Sequence, residues 1–319
     1  MHKPNHQESN PSRSYLSWIL RLLVVGSVGY WLYGQTDQEQ LRSSLSRAPG
    51  AITIAALMGC TNLAIASVRW RLLMKAFDAK RLPGLAPLFK LNLVGHFYNI
   101  FVPGAVGGDI GRGYVARRCF DDKITSYFVV VSERLVGLTA LGLIFGAGVL
   151  FGPRLPGISD TGLWAIVLVG ISVFLVAIYL AGDRLRRWWS IFPRITRPSH
   201  IFAAGGLSLL SHGITIMVFG VLSLSLGVDL SISTLIVVVP VALVASIVPI
   251  AIAGIGPREA ALVGLLPAMA IASSQDALAL SLSFALSHWL LAALGGCLQL
   301  VVGDTLLASL TEAEPSSNG

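Results

Sequence analysis

The sequence predicts an all-α polytopic membrane protein, with about six full transmembrane helices and two re-entrant hairpins arranged as an inverted-topology repeat. Three observations predict it. Hydrophobic residues make up 54% of the 319-residue chain and charged residues 12%, with a mean hydropathy of +0.74, well outside the range of soluble globular domains. Apolar stretches that supply the ~20 residues needed to cross ~30 Å of hydrocarbon recur along the chain. Two of the apolar regions are broken by proline, glycine and charge, at matching places in the two halves.

Six stretches read as full spans: 15–33, 49–68, 125–151, 162–182, 201–226 and 277–303. The first follows a polar segment, 1–14, contains Arg21 and ends without a small-residue cleavage site, so it reads as an uncleaved span rather than a signal peptide. The membrane domain covers 15–303, with one repeat over about 15–151 and the other over about 162–303, and 304–319 forms a polar tail.

The two broken regions need a different reading. Region 84–111 carries Lys90, Asn92, His96, Asn99 and Asp109 and is interrupted by Pro103, Gly104, Gly107 and Gly108. Region 234–272 is broken by Pro240, Pro249, Gly254, Gly256 and Pro257, then carries Arg258 and Glu259. Because Lys and Arg concentrate in cytoplasmic loops, the charges orient both regions. Arg69, Arg71, Lys75, Lys80 and Arg81 precede the first, and Arg112, Arg117, Arg118 and Lys123 follow it. Both flanks read as cytoplasmic, so the region between enters and leaves by the same face.

Spans 125–151, 162–182 and 201–226 then cross outward, inward to the loop of Arg184, Arg186, Arg187, Arg194 and Arg197, and outward again. The flanks of the second broken region, 227–233 and 273–276, contain no Lys or Arg, as expected of a hairpin entering from the outer face. Both termini are expected in the cytoplasm and the chain in the cell (inner) membrane.

Residues 102–112, VPGAVGGDIGR, align without gaps on 248–258, VPIAIAGIGPR, with Val, Pro, Ala, Gly and Arg coinciding at an offset of 146. The same shift carries spans 15–33, 49–68 and 125–151 onto 161–179, 195–214 and 271–297, which overlap the spans of the second half. Each half reads span, span, hairpin, span. An odd number of crossings per half inserts the second half upside down. Broken helices at corresponding positions of inverted halves point to a binding site near the bilayer midplane; the alternative is a duplicated structural hairpin without cargo.

Chemistry centres on the breaks. Gly107 and Gly108 permit close backbone approach, and the helix start after them would turn N–H groups toward a phosphate or other anion. Asp109 and Arg112, three apart, can pair with each other, or Arg112 and Arg258 can grip a lipid phosphate through paired N–H donors. Glu133 and Arg134 lie inside an apolar span and Glu259 beside the second break, and ionisable groups in a membrane default to functional hypotheses. Glu133 can pair with Arg112 or Arg258, take up a proton, or fix two helices together. His96 and Asn99, with Asn92, are polar candidates for the lining of a cavity.

Other functional classes find less support. His212 and His288 belong to no HxxxH or HExxH pattern, and Cys60, Cys119 and Cys297 to no CxxC, so no metal, disulfide framework or cofactor is expected. The net charge of +7 follows from loop basicity and predicts no nucleic-acid partner. Trp70, Trp188 and Trp189, each among arginines, read as interfacial anchors near anionic headgroups. No GxSxG or short-range His–acid pairing marks an enzyme.

The stretches NIFVPGAVGGDIGRGY (99–114), SERLVGL (132–138) and VPIAIAGIGPREAALVGLL (248–266) resemble the transmembrane flippase-like domain of the lysylphosphatidylglycerol synthase family, the N-terminal membrane half of the multiple peptide resistance factors. The resemblance covers nearly the whole chain. It implies movement of aminoacylated phosphatidylglycerol between leaflets and marks Pro103, Gly107, Gly108, Asp109, Arg112, Glu133, Arg134, Gly254, Gly256, Arg258 and Glu259. The chain departs from the pattern at Ala253, where glycine is common, and at Pro257. It resembles the short relatives without a soluble synthase domain, so aminoacyl transfer is not implied.

The expected function is therefore a lipid flippase or transporter for an anionic or phosphate-bearing membrane lipid. The alternatives are a non-transporting protein that binds or regulates a lipid-synthesis enzyme, and a membrane-embedded lipid-modifying enzyme.

Overall fold

The computed structural model describes residues 38–101, 107–151, 192–246, 256–309 and 314–315. The expected spans 15–33 and 162–182 lie outside these residues, as do Pro103, Gly104, Pro249, Gly254, Trp188 and Trp189. The described helices are α1 (Gln38–Ser46), α2 (Pro49–Ala76), α3 (Leu85–Phe101), α4 (Gly107–Ala116), α5 (Lys123–Phe151), α6 (Pro198–Ser225), α7 (Ile232–Ala245), α8 (Pro257–Ala268) and α9 (Ser274–Ser309). A short 3-10 turn, Arg117–Cys119, follows α4. Arg81–Leu82 pairs antiparallel with Glu314–Pro315.

Four helices, α2, α5, α6 and the Ser274–Val301 part of α9, are long and apolar enough to cross a membrane. They coincide with the expected spans 49–68, 125–151, 201–226 and 277–303, and each is longer than its apolar core. The excess is largest in α2. Arg69, Arg71 and Lys75, expected in a cytoplasmic loop, are helical, because α2 continues to Ala76 before Phe77 N–H closes on Leu73 O. Trp70 is no interfacial anchor either: it is fully buried, at 0% exposure. Their charge had marked a loop, but Arg69 has partners on two other helices, Glu133 and Ser208, and Arg71 donates to Pro83 O at 3.1 Å.

The surface is as apolar as the interior. Phe202 is 81% exposed and Leu300 89%, which is how a helix bundle meets a solvent of lipid tails rather than water. Buried charge, including Asp109, Arg112, Glu133, Arg258 and Glu259, is correspondingly the unusual feature.

Two clusters of buried apolar side chains mark opposite ends of the bundle. One gathers Ala48 and Ala51 at the start of α2 with Leu222 and Leu226 at the end of α6 and with Met269 and Ala277. The other gathers Leu73 and Met74 at the end of α2 with Leu88, Cys119, Val129 and Ala204. Thus α2 and α6 run antiparallel along one another.

Each broken region supplies a packed helix pair, α3 with α4 and α7 with α8. The α3–α4 pair is tied to the second end: Lys80 N–H donates to Cys119 O at 2.8 Å, joining the turn before α3 to the turn after α4. Thr196 N–H donates to Ala76 O at 2.9 Å at the same end. The α7–α8 pair is flanked by Leu230 and Met269, both in the first cluster.

Glycines set how closely these pairs pack. A Cβ on Gly108 would collide with the Gly95 backbone, so α4 crosses α3 with no side chain between them. Gly256, at φ +140°, takes a conformation closed to L side chains and starts α8.

Candidate functional site

Asp109, at the end of the first broken region, joins Arg69, Arg112, Glu133 and Arg134 in one network. Glu133 on α5 accepts from Arg69 Nη2 at 2.8 Å and from Arg112 Nη1 at 3.1 Å. Asp109 accepts from Arg112 Nη2 at 2.6 Å through Oδ1, and from Arg134 Nε at 2.8 Å and Arg134 Nη2 through Oδ2. Arg112 Nη1 also donates to Asn92 Oδ1 at 2.8 Å, and Asn92 Nδ2 to Ser67 Oγ at 2.8 Å. The Arg112 guanidinium lies 5.1 Å from the Trp70 ring centre, a cation–π contact of the desolvated kind. Arg69 Nη1 donates to Ser208 Oγ at 3.1 Å, bringing α6 into the network.

Helix geometry explains the convergence. Asp109 and Arg112 share a face of α4 because three residues make nearly one turn. Consecutive residues Glu133 and Arg134 diverge on α5: Glu133 points inward, and the Arg134 side chain remains 57% exposed. Within this network three guanidiniums meet two carboxylates. One positive charge is therefore uncompensated, and Arg134 is the member that reaches the surface.

Beside Arg134 lies an open cavity of about 300 Å³ between α4 and α5. Its wall is almost wholly apolar, from Ile110, Tyr127, Val131 and Leu135 among others, and Asp109 and Arg134 also line it, their charged groups paired with each other. Its volume is at the lower bound for small-molecule sites.

The second broken region builds a tighter, balanced unit. Arg258 Nη2 donates to Glu259 Oε1 at 2.6 Å and Arg258 Nε to Ser281 Oγ at 3.0 Å, while Ser281 Oγ donates to Glu259 Oε1 at 2.8 Å. Glu259 Oε2 accepts the Gly256 N–H at 2.7 Å, closing the first turn of α8 as an N3 glutamate does. The Arg258 guanidinium lies 4.9 Å from the Phe284 ring centre.

Between the two units stand His96 on α3 and His288 on α9, their rings 5.4 Å apart. His288 is also 4.2 Å from Phe284, which connects the histidine pair to Arg258. His96 Nε2 is buried without a hydrogen-bond partner among the described residues. No contact joins Arg112 to Arg258 among the described residues; each guanidinium is held by its own carboxylates.

Asn99 serves the hairpin itself. Its Oδ1 accepts the Gly108 N–H at 2.8 Å and caps the start of α4, the very donor that sequence reasoning aims at an anion. Gly107 is the first residue of α4, and Pro257 the first of α8, where its missing N–H is not needed. Arg69 and Ser281 were missed. Loop-like charge density disguised Arg69, and nothing distinguishes Ser281 among the many serines of its helix.

The sequence pattern of the transmembrane region of lysylphosphatidylglycerol synthase matches residues 18–296. The chain belongs to that family. The match spans both broken regions, three of the four described crossing-length helices and most of the fourth, so the family pattern and the charged interior coincide. No curated protein sequence matches the chain. The family is a membrane domain, and the apolar helices agree that this is a multi-pass membrane protein.

Proposed function

We propose that the protein is a flippase, moving an anionic or phosphate-bearing lipid between the leaflets of the cell membrane. In this reading α3–α4 and α7–α8 are re-entrant hairpins of two inverted repeats, opening at opposite faces, with both termini in the cytoplasm. The Lys80–Cys119 bond at one end of the bundle and the flanks of α7–α8 at the other support that arrangement. Such paired hairpins place a cargo site at mid-depth.

The observation that carries the proposal is the one surplus positive charge of the network, whose surface-reaching member, Arg134, is paired with Asp109 beside an apolar cavity. Arg134 stands ~17 Å along α5 from Lys123 at ~1.5 Å per residue, about half the ~30 Å hydrocarbon thickness. Maintaining a cation there is costly unless an anion visits. Arg134 receives the headgroup. Arg112 and Arg258 then exchange their carboxylate partners for lipid phosphate as the headgroup passes, with Glu133 and Glu259 holding each guanidinium between passages.

The test is a leaflet assay in proteoliposomes with labelled phosphatidylglycerol, aminoacylated phosphatidylglycerol and polyprenyl phosphate. At least one is translocated in a protein-dependent manner, and Arg134→Ala lowers that rate about tenfold, equivalent to ~1.4 kcal/mol. The same substitution costs ~1 kcal/mol of stability, because the Arg134 end of the pair is exposed and buried Asp109 keeps Arg112 as its partner. Translocation of none of the three lipids, or full activity in Arg134→Ala, overturns the proposal.

A further inference from the structure

The cavity beside Arg134 has a neighbour. A second cavity, of about 320 Å³, lies between α5 and α7, with Leu138, Leu141, Gly142 and Phe145 on one wall and Pro240, Val241 and Val244 on the other. The α5 residues of the two cavities form a single series: Tyr127, Val131, Arg134 and Leu135, then Leu138, Gly142 and Phe145. Apart from the adjacent Arg134 and Leu135, steps of three and four residues keep them on one face of the helix. Leu135 and Leu138, at the junction, are both exposed, so among the described residues the face is open between the two cavities.

We infer that this face of α5 is an acyl-chain track, on which a lipid lies with its anionic headgroup at Arg134 and a chain running to the groove between Phe145 and Val244. Polarity along the track matches such a molecule: the half-exposed Arg134, paired with Asp109, marks one end, and the walls of both cavities beyond it are apolar. Length matches as well. Arg134 to Phe145 spans ~17 Å at ~1.5 Å per residue, close to the ~15 Å of one leaflet's hydrocarbon. The groove floor is open at Gly142, where an added Cβ would meet nothing within 4 Å. A transmembrane helix from another protein would satisfy the apolar groove but not the surplus positive charge. An anionic lipid satisfies both.

This inference rests on the lipid reading above, though not on transport itself. The test uses the full chain in phosphatidylcholine liposomes doped with phosphatidylglycerol that carries a photoreactive diazirine, placed either near the ester or at the chain end. Cross-linked residues are mapped by mass spectrometry. The near-ester probe is expected at Val131 and Leu135, and the chain-end probe at Phe145 and Val244. Gly142→Trp, which fills the groove, lowers chain-end labelling about tenfold, equivalent to ~1.4 kcal/mol of binding, and leaves near-ester labelling in place. Gly142→Ala leaves both. A diacylglycerol probe, lacking phosphate, labels the track more weakly than the phosphatidylglycerol probes.

Labelling of Phe145 no stronger than that of the bulk-lipid positions Phe202 and Leu300 overturns the track, as does indifference to Gly142→Trp. Cross-links at Leu138 to a second copy of the chain would assign the face to a protein partner and also overturn it. Labelling requires no translocation. A positive map with a silent leaflet assay therefore rejects transport alone, and transport unaffected by Gly142→Trp rejects the track alone.

Discussion

Glu133 should be the most costly single charge to remove from the first network. Glu133→Ala leaves Arg69 and Arg112 without their shared acceptor and raises the uncompensated charge from one to two. Glu133 and Arg112 are almost wholly enclosed, so breaking the pair costs ~3–5 kcal/mol. Arg69→Ala moves the count the other way, leaving two guanidiniums with two carboxylates. Arg69 Nε has no hydrogen-bond partner among the described residues, which reduces what that side chain contributes, and its loss costs ~1–2 kcal/mol. The double variant relieves part of the damage done by Glu133→Ala, because one of the stranded cations is gone, and the coupling falls within ~1–3 kcal/mol. Reversible unfolding in mixed micelles by denaturing-detergent titration measures all three. Equal costs for the two single variants, or additivity within ~0.5 kcal/mol, would refute the charge-count reasoning.

Other outcomes follow from the helix pairs. Single cysteines replacing Lys80 and Asp121 are labelled by an impermeant maleimide from the same side of the membrane, and one replacing Asp229 from the other; opposite sides for the first two would exclude a re-entrant α3–α4. Native Cys119 adds little background, because burial pushes its thiol up to about 11. At pH 8 that leaves ~1 thiolate in 1,000, against ~1 in 4 for an ordinary cysteine near 8.5, and its labelling rises as pH approaches 11. Gly108→Ala forces a methyl into the Gly95 backbone and costs upward of ~3 kcal/mol, at the severe end of single substitutions. Gly111→Ala, with open space around its Cβ, stabilises α4 by ~0.5–1 kcal/mol. Equal stability of those two variants would contradict the close helix crossing.

What sequence reasoning reached and missed has a physical cause at each residue. The broken regions were visible because Pro, Gly and charge interrupt apolar runs, signals that are local to the chain. The Asp109–Arg112 pair was readable from helical spacing. Glu133 was assigned either Arg112 or Arg258 as partner, and the fold gives it Arg112. Arg69 was unreadable. Its helix is extended by bonds to Glu133 and Ser208, 64 and 139 residues away, whereas the positive-inside rule sees only the neighbouring Arg71 and Lys75. Trp70 followed Arg69 into the same error, because its aromatic face serves Arg112 and not a headgroup. Asn99 was recognised as polar and useful, but only the α3–α4 crossing reveals that Gly108 N–H occupies it.

The two clusters also differ electrically. Arg258 and Glu259 cancel, whereas the Arg69–Asp109–Arg112–Glu133–Arg134 group retains one unit of positive charge. An anion bound at Arg134 would neutralise it, so occupied and vacant forms respond differently to a transmembrane voltage. A full unit charge carried through 100 mV involves ~2.3 kcal/mol. In a flippase of the kind proposed, voltage would act on the return of the vacant cluster and leave the neutral, loaded passage nearly untouched.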